Sequence, residues 1–313
     1  MHVLIAEFMD EAAVASLKRR FTTTYDAELV ARREELLGAV ADADALIVRN
    51  RTRVDGELVA AGGKLRIVGR LGVGLDNIDL AACEARGIRV IPATGANALA
   101  VAEYVIGTAM ALLRGAYGST SAVAAGEWPR GSLANGRELA GKTLGVVGFG
   151  DIGRQTARLG GALGMTVIAF DAQIPATAAV WAEHQTTPRR FDELLRDADV
   201  VSLHVPLTPA TRRLMDAERL ALMKQDAILV NTARGGVVDE SALAAALSAG
   251  RLGGAALDVF ETEPMPAGSP LAGCPHLILT PHIAGVTRES NARVSMMIAE
   301  KVAAALEAAG ANR

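Results

Sequence analysis

The run Gly145-Val146-Val147-Gly148-Phe149-Gly150-Asp151-Ile152-Gly153 constrains this chain more than any other stretch. An apolar strand feeds a glycine-rich turn and a helix start, and the next apolar run ends in Phe170-Asp171. Strand, glycine turn, helix, strand and acid in that order make a βαβ unit. Such a unit demands a parallel sheet with helices on both faces. The rest of the chain keeps the same rhythm. Val3–Ala6, Ala45–Val48, Arg66–Gly69 and Ile88–Ile91 read as strands, with helices between them at Glu28–Val40 and Leu80–Arg86. From Lys142 onward, strands are expected at Thr143–Val147, Thr166–Phe170, Val200–His204, Ala227–Asn231, Ala255–Asp258 and Leu277–Leu279. Long helices are expected over Ala98–Arg114 and Arg288–Ala308. Residues 115–136 carry no period and read as an arm or a surface loop. The expected fold class is α/β, with two doubly wound parallel-sheet domains.

Composition narrows the setting. At 313 residues the chain is long enough for two cores. Half of it is hydrophobic but only 4% aromatic, so Ala, Val, Leu and Ile carry the apolar weight. That suits buried strands under small-residue helices. The net charge is -3 and no basic stripe stands out, so no nucleic-acid partner is expected. Lys18-Arg19-Arg20 is the densest positive run and reads as a solvated helix end. Cys83 and Cys274 are isolated thiols, which argues against a disulfide scaffold or a zinc site and for a reducing cytoplasm. Met1–Glu7 reads as a first strand rather than a signal peptide. The most apolar helical window, Ala98–Leu113, contains Glu103 and is short for a bilayer, so no membrane partner is expected.

The glycine turn has a chemistry. Gly148 permits the tight turn, Gly150 lets backbone approach a pyrophosphate, and Gly153 lets the helix pack on the sheet. The helix starting near Asp151 aims its free N–H groups and positive dipole end at the phosphates. Asp171 is placed to accept hydrogen bonds from both ribose hydroxyls and to repel a 2′-phosphate. No arginine follows it in Ala172-Gln173-Ile174, so NAD is expected over NADP.

Three polar residues downstream stand just past predicted strand ends, where ligands bind in parallel α/β sheets. Arg234, in Asn231-Thr232-Ala233-Arg234-Gly235-Gly236, is suited to a two-pronged bond with a carboxylate, or to a surface ion pair. Glu263 follows Asp258-Val259-Phe260, and His282 follows Leu279-Thr280-Pro281. Each alone reads as readily as a structural or solvated group. Their joint placement after a nucleotide fingerprint makes a reaction centre the better reading. His204, in His204-Val205-Pro206, reads as structural.

Across nearly its whole length the chain resembles the D-isomer-specific 2-hydroxyacid dehydrogenases. The resemblance rests on Gly148–Gly153, Asn231–Asp239, Ala256–Pro264 and Thr280–Gly285. It implies a Rossmann-type NAD-binding domain, residues 99–285, inserted into a flavodoxin-like substrate domain, residues 1–98 with 286–313. It also implies hydride transfer between NAD and a small D-2-hydroxy or 2-oxo acid of the phosphoglycerate, hydroxypyruvate/glyoxylate or lactate type. Arg234 would bind the substrate carboxylate and carbonyl; His282 would be the general acid/base, partnered by Glu263. Asp151, Ile152, Asp171, Val205, Thr232, Ala233, Asp258, Ala284 and Gly285 match cofactor contacts. Val73 and Gly74, in Arg70–Asn77, match a substrate loop that acts through its backbone. Arg49 and Arg51 are candidates for holding an anionic substrate, or form a surface charge cluster. No metal is needed. A homodimer through residues 100–140 is implied by the resemblance alone. Two other readings stay open: an NAD-sensing corepressor-like binding protein, and an NADP-preferring reductase.

Overall fold

The structure is a computed structural model and describes residues 1–311. It divides into two compact units, Met1–Asn97 with the C-terminal segment from Val286, and Ala98–Gly285. In the first unit five strands run parallel: β1 (His2–Ile5), β2 (Thr22–Tyr25), β3 (Ala45–Val48), β4 (Ile67–Arg70) and β5 (Arg89–Pro92). Their order is β2-β1-β3-β4-β5, the flavodoxin-like winding. All four residues of β3 are buried, as a central strand covered on both faces requires. The closing helix Arg288–Ala311 lays Val294, Ile298, Val302 and Leu306, spaced four apart, onto Val3, Ile5 and Ile47.

The second unit holds seven parallel strands: β6 (Thr143–Val147), β7 (Thr166–Phe170), β8 (Thr187–Pro188), β9 (Val200–Leu203), β10 (Ile228–Asn231), β11 (Gly254–Leu257) and β12 (Leu277–Leu279). Their order is β12-β11-β10-β9-β6-β7-β8. The chain starts in the middle at β6, winds outward to β8, then returns to β9 and winds the other way. That reversal is the Rossmann switch point, between β6 and β9. One core fills one face around Val147, Val201, Leu229 and Leu257. Another fills the opposite face around Val146, Val200, Val230 and Ala256, under Val105 and Ala109 of the helix Ala98–Arg114. Among the described residues no single helix is long and apolar enough to cross a membrane.

Several local expectations shift. β2 is Thr-Thr-Thr-Tyr at a sheet edge, alternately exposed and half-buried, so it shows no apolar run. β8 has only two residues. The expected helix over Glu28–Val40 divides into a 3-10 turn, Leu29–Ala31, and a helix, Arg33–Val40. Arg32 between them lies outside helical angles, with its guanidinium bonded to Asp26 and Glu35. Residues 115–136 contain a 3-10 turn, Tyr117–Ser119, and a short helix, Thr120–Ala124. Tyr117 and Trp128 there are 68% and 78% exposed, unusual for large aromatics.

Candidate active site

The glycine turn is shaped by contacts that exclude side chains. A Cβ on Gly148 would meet His204 O at 2.5 Å, and one on Gly153 would meet Gly148 O at 2.1 Å. Gly148 also holds φ at +92°, which L-residues rarely adopt. The helix Asp151–Ala162 starts at Gly150 with no side-chain cap, so its first N–H groups have no capping oxygen from the chain. Asp151 opens that helix, and Ile152 follows it. Val205 packs beside the turn, its Cγ1 3.1 Å from where a Gly148 Cβ would stand. Asp171 ends β7 and reaches back to the turn. Its Oδ2 accepts the Phe149 N–H at 2.7 Å and its Oδ1 the Gln173 N–H at 2.8 Å. A backbone cradle with an adjoining acid fits the pyrophosphate and ribose of a dinucleotide.

At the other end of the sheet, β10, β11 and β12 are neighbours, and each carboxyl end delivers one candidate. Past β10, the buried Asn231 side chain folds the turn: Oδ1 accepts the Ala233 N–H at 3.0 Å and Nδ2 donates to Arg234 O at 3.1 Å. Arg234 Nη1 donates to Ala233 O at 2.6 Å. Thr232 Oγ1 is buried without a partner, a hydroxyl available to a ligand. A Cβ on Gly235 would fall 1.6 Å from Phe260 O. Glycine there lets the Arg234 loop lie directly against the backbone of the loop that carries Glu263.

Asp258, past β11, is 1% exposed. Its carboxylate accepts from Thr280 Oγ1 at 2.6 Å and from the Ile283 and Ala284 N–H groups at 2.8 Å each. Its carbonyl accepts the His282 N–H at 2.8 Å. Gly285 ends this turn. The Tyr104 hydroxyl donates to Thr280 Oγ1 at 2.6 Å, completing a chain to Asp258. Burial pushes the Tyr104 phenol above its ordinary pKa, which keeps that proton in place. The loop bearing His282 is thus pinned at four points. Glu263 then accepts the Phe260 N–H with Oε1 at 3.0 Å and the His282 Nδ1–H with Oε2 at 2.8 Å. Nδ1 is therefore the protonated nitrogen of the neutral ring, and Nε2 is left for proton exchange.

In the first unit, Glu7 is 3% exposed. Its carboxylate accepts the Arg49, Arg51 and Thr52 N–H groups at 2.8, 3.2 and 2.9 Å, which orders the turn after β3. Arg49 Nη2 donates to Asn291 Oδ1 at 2.7 Å, and the guanidinium lies 5.9 Å from the Phe8 ring centroid. Burial holds the Arg49 guanidinium below its ordinary pKa. Arg51 is exposed, Val73 is 37% exposed and Gly74 is half-buried. Among the described residues no group of three His, Cys, Asp or Glu side chains could hold a metal ion.

The structure adds residues the sequence reading passed over. Glu7, Tyr104 and Thr280 are positioning groups. A charged residue directly after an apolar strand, as in Ile5-Ala6-Glu7, was the available sign for the first. Arg189 and Arg190 share a cavity of about 350 Å³ with Asp171. They follow β8, too short to announce itself, so counting arginines only in Ala172-Gln173-Ile174 missed them.

A Rossmann sheet with a glycine cradle and an acid at one end, and a paired histidine and glutamate with a nearby arginine loop at the other, defines a dinucleotide-dependent oxidoreductase. Residues 106–284 match the D-isomer specific 2-hydroxyacid dehydrogenase, NAD binding domain. The chain belongs to the D-isomer-specific 2-hydroxyacid dehydrogenase family. It is 58% identical to an (S)-sulfolactate dehydrogenase of Chromohalobacter salexigens over 97% of this chain and 98% of that one. It is 43% identical to a D-3-phosphoglycerate dehydrogenase of Methanocaldococcus jannaschii, over 86% of this chain but 51% of that protein. The chain thus spans about half the length of that phosphoglycerate dehydrogenase. A crystal structure of the TT0316 protein from Thermus thermophilus superposes with a TM-score of 0.86 at 36% identity, covering 98% of this chain and 97% of that one. The chain is an NAD-dependent 2-hydroxyacid dehydrogenase acting on small 2-hydroxy or 2-oxo acids.

Proposed function

We propose that this chain oxidises a three-carbon 2-hydroxy acid bearing a second strong anion, of the (S)-sulfolactate kind. The observation that carries the chemistry is the 2.8 Å bond from His282 Nδ1 to Glu263. It fixes the tautomer and leaves Nε2 to take the hydroxyl proton in oxidation and return it in reduction. Glu263 stabilises the imidazolium formed in that step. Arg234 clamps the substrate carboxylate and sets the geometry for transfer. NAD, when bound, supplies the acceptor for the hydride leaving the C2 carbon, so a ketone remains. Gly148, Gly150, Asp151, Ile152 and Gly153 hold its pyrophosphate, Asp171 its ribose and Val205 its adenosine side. Thr232, Ala233, Ala284 and Gly285 contribute further contacts. Asp258 works mainly by holding the His282 loop.

The second unit is the cofactor domain in this reading, and the first is the substrate domain, with Arg49 and the Val73-Gly74 backbone as anion-holding groups. The substrate choice is supported by the 58% identity to the sulfolactate enzyme along both full lengths. The protein works as a cytoplasmic homodimer, with exposed Tyr117 and Trp128 in the segment between the long helix and β6 as the apolar surface to cover.

The test is NADH formation with (S)-sulfolactate, D-3-phosphoglycerate, D-lactate and D-glycerate. Highest kcat/KM for the sulfonate is expected. A higher value for phosphoglycerate would replace the substrate, and no turnover of any 2-hydroxy acid would favour an NAD-sensing binding protein.

A further inference from the structure

We propose that Glu240 is a positioning residue of the reaction: it ties the loop that carries Glu263 to the segment that carries Arg234, and so holds the Glu263–His282 pair in place. The inference rests on the reading of that pair as the acid/base centre. Glu240 opens the helix Glu240–Ser248, which is capped by Asp239, whose Oδ1 accepts the Ala242 N–H at 3.0 Å. Its backbone stands on a fixed base. Between the Arg234 loop and Glu240, residues 236–239 run alongside 213–215. The Arg213 N–H donates to Gly236 O at 2.7 Å, the Met215 N–H to Val237 O at 3.0 Å and the Asp239 N–H to Met215 O at 3.0 Å. Val237 and Val238 are buried in the core.

From that base the side chain reaches the next loop. Glu240 Oε1 accepts the Glu261 N–H at 2.6 Å. The preceding amide, the Phe260 N–H, goes to Glu263 Oε1 at 3.0 Å, and Glu263 Oε2 takes the His282 Nδ1–H at 2.8 Å. Two successive amides thus hold two carboxylates, one set in a helix start and the other bonded to the imidazole. The peptide joining Phe260 to Glu261 also lies directly against Gly235, where a Cβ would stand 1.6 Å from Phe260 O and 2.8 Å from Glu261 N. Burial pushes the Glu240 carboxyl above its ordinary pKa, and the nearby Glu261 and Asp239 charges push the same way; the Glu261 N–H opposes them. Charge is disfavoured there and the accepted hydrogen bond is the gain, so a neutral acceptor of the same length can do the same work. Glu261 is exposed, so water takes up its amide when Glu240 is removed. The chain still folds, but the Glu263 loop loses a fixed point, and loose geometry at a proton carrier slows the chemistry.

The experiment measures kcat and KM for Glu240→Ala, Glu240→Gln, Glu263→Ala and the Glu240→Ala/Glu263→Ala double variant, with whichever of the four acids named above turns over fastest. Urea unfolding checks that each variant is folded, and nucleotide fluorescence gives its NADH affinity. Glu240→Ala is expected to lower kcat about tenfold, with NADH affinity within about twofold and KM moving less than kcat. Glu240→Gln, which keeps an acceptor, should restore kcat to within about threefold of the wild type. In the double variant the Glu240 change should cost almost nothing more, because the carboxylate it positions is gone. A Glu240→Ala enzyme with kcat within about twofold of the wild type would overturn the proposal. So would a Gln variant as slow as the Ala variant, or a Glu240→Ala loss of the same size with Glu263 absent. Full turnover in Glu263→Ala alone would instead sink the reading of the acid/base pair, and the role of Glu240 with it.

Discussion

Two aspartates of the seven-stranded sheet stand just past strands in its opposite halves and differ greatly in character. Asp258, past β11, is sealed, with three donors on its carboxylate and a fourth on its carbonyl. Asp171, past β7, is half-buried, with two backbone donors and a cavity in front of it. The same side chain at the same kind of position does opposite work. One fixes the loop that carries His282, in the proposed reading the proton carrier; the other stays open to the cavity where, in that reading, the cofactor ribose binds. On the proposed reading, rigidity suits the end that carries His282, because a misplacement of about 1 Å costs catalysis about a hundredfold. On the same reading, the end that carries Asp171 needs only a charge of the right sign in reach to discriminate between ligands.

The sharpest break of this comparison is at the tip of the pinned loop. His282→Ala should lower kcat by about a thousandfold, while NADH affinity by fluorescence titration stays within about threefold. Near-normal turnover in that variant would remove His282 as the proton carrier. Next comes the pair of aspartates themselves. Asp258→Ala strands the Ile283 and Ala284 amides and the Thr280 hydroxyl, so unfolding free energy in urea should fall by about 3 kcal/mol or more. Asp171→Ala frees two amides that water can reach, so its loss should stay below about 1 kcal/mol. Equal losses would erase the distinction between anchor and selector.

Much of this was legible in the sequence, for physical reasons that also explain the gaps. β3, β6 and β9 to β11 are buried on both faces for nearly all their length, so they appear as near-continuous apolar runs with Thr143, Ser202 and Asn231 as the polar exceptions. Gly148, Gly153 and Asp171 show because the turn tolerates few alternatives. β2 and β8 lie at sheet edges, where a covering layer is not required, and their residues carry no pattern. Because β8 was invisible, nothing in the sequence placed Arg189 and Arg190 beside Asp171. The pairing of Glu263 with His282 was expected from resemblance, but the network behind it was not. Tyr104 and Thr280 lie 176 positions apart, and a contact at that separation leaves no periodic trace.

Between the two ends stands β9 at the switch point, and its last neighbour offers the smallest effect and the cleanest sign. His204 donates its N–H to Val147 O at 2.7 Å, and its Nε2 pairs with the buried Ser202 Oγ at 2.8 Å. The residue keeps some surface, but Nδ1 is sealed off without a partner. Burial lowers the imidazole from 6.5 to about 3, so the ring is neutral in the native state at physiological pH. The unfolded chain binds a proton there below about 6.5 and the native chain does not until about 3. Stability is therefore complete above the upper value and drains away as pH falls toward the lower one, by up to about 1.4 kcal/mol per pH unit. His204→Gln keeps a partner for Ser202 and removes the titration. Urea unfolding between pH 6 and 4 should give a shallower acid decline for the variant than for the wild type, whatever their difference at pH 7. Parallel curves would mean that the ring accepts a proton in place, and that the switch-point strand is as open to water as the nucleotide end beside it.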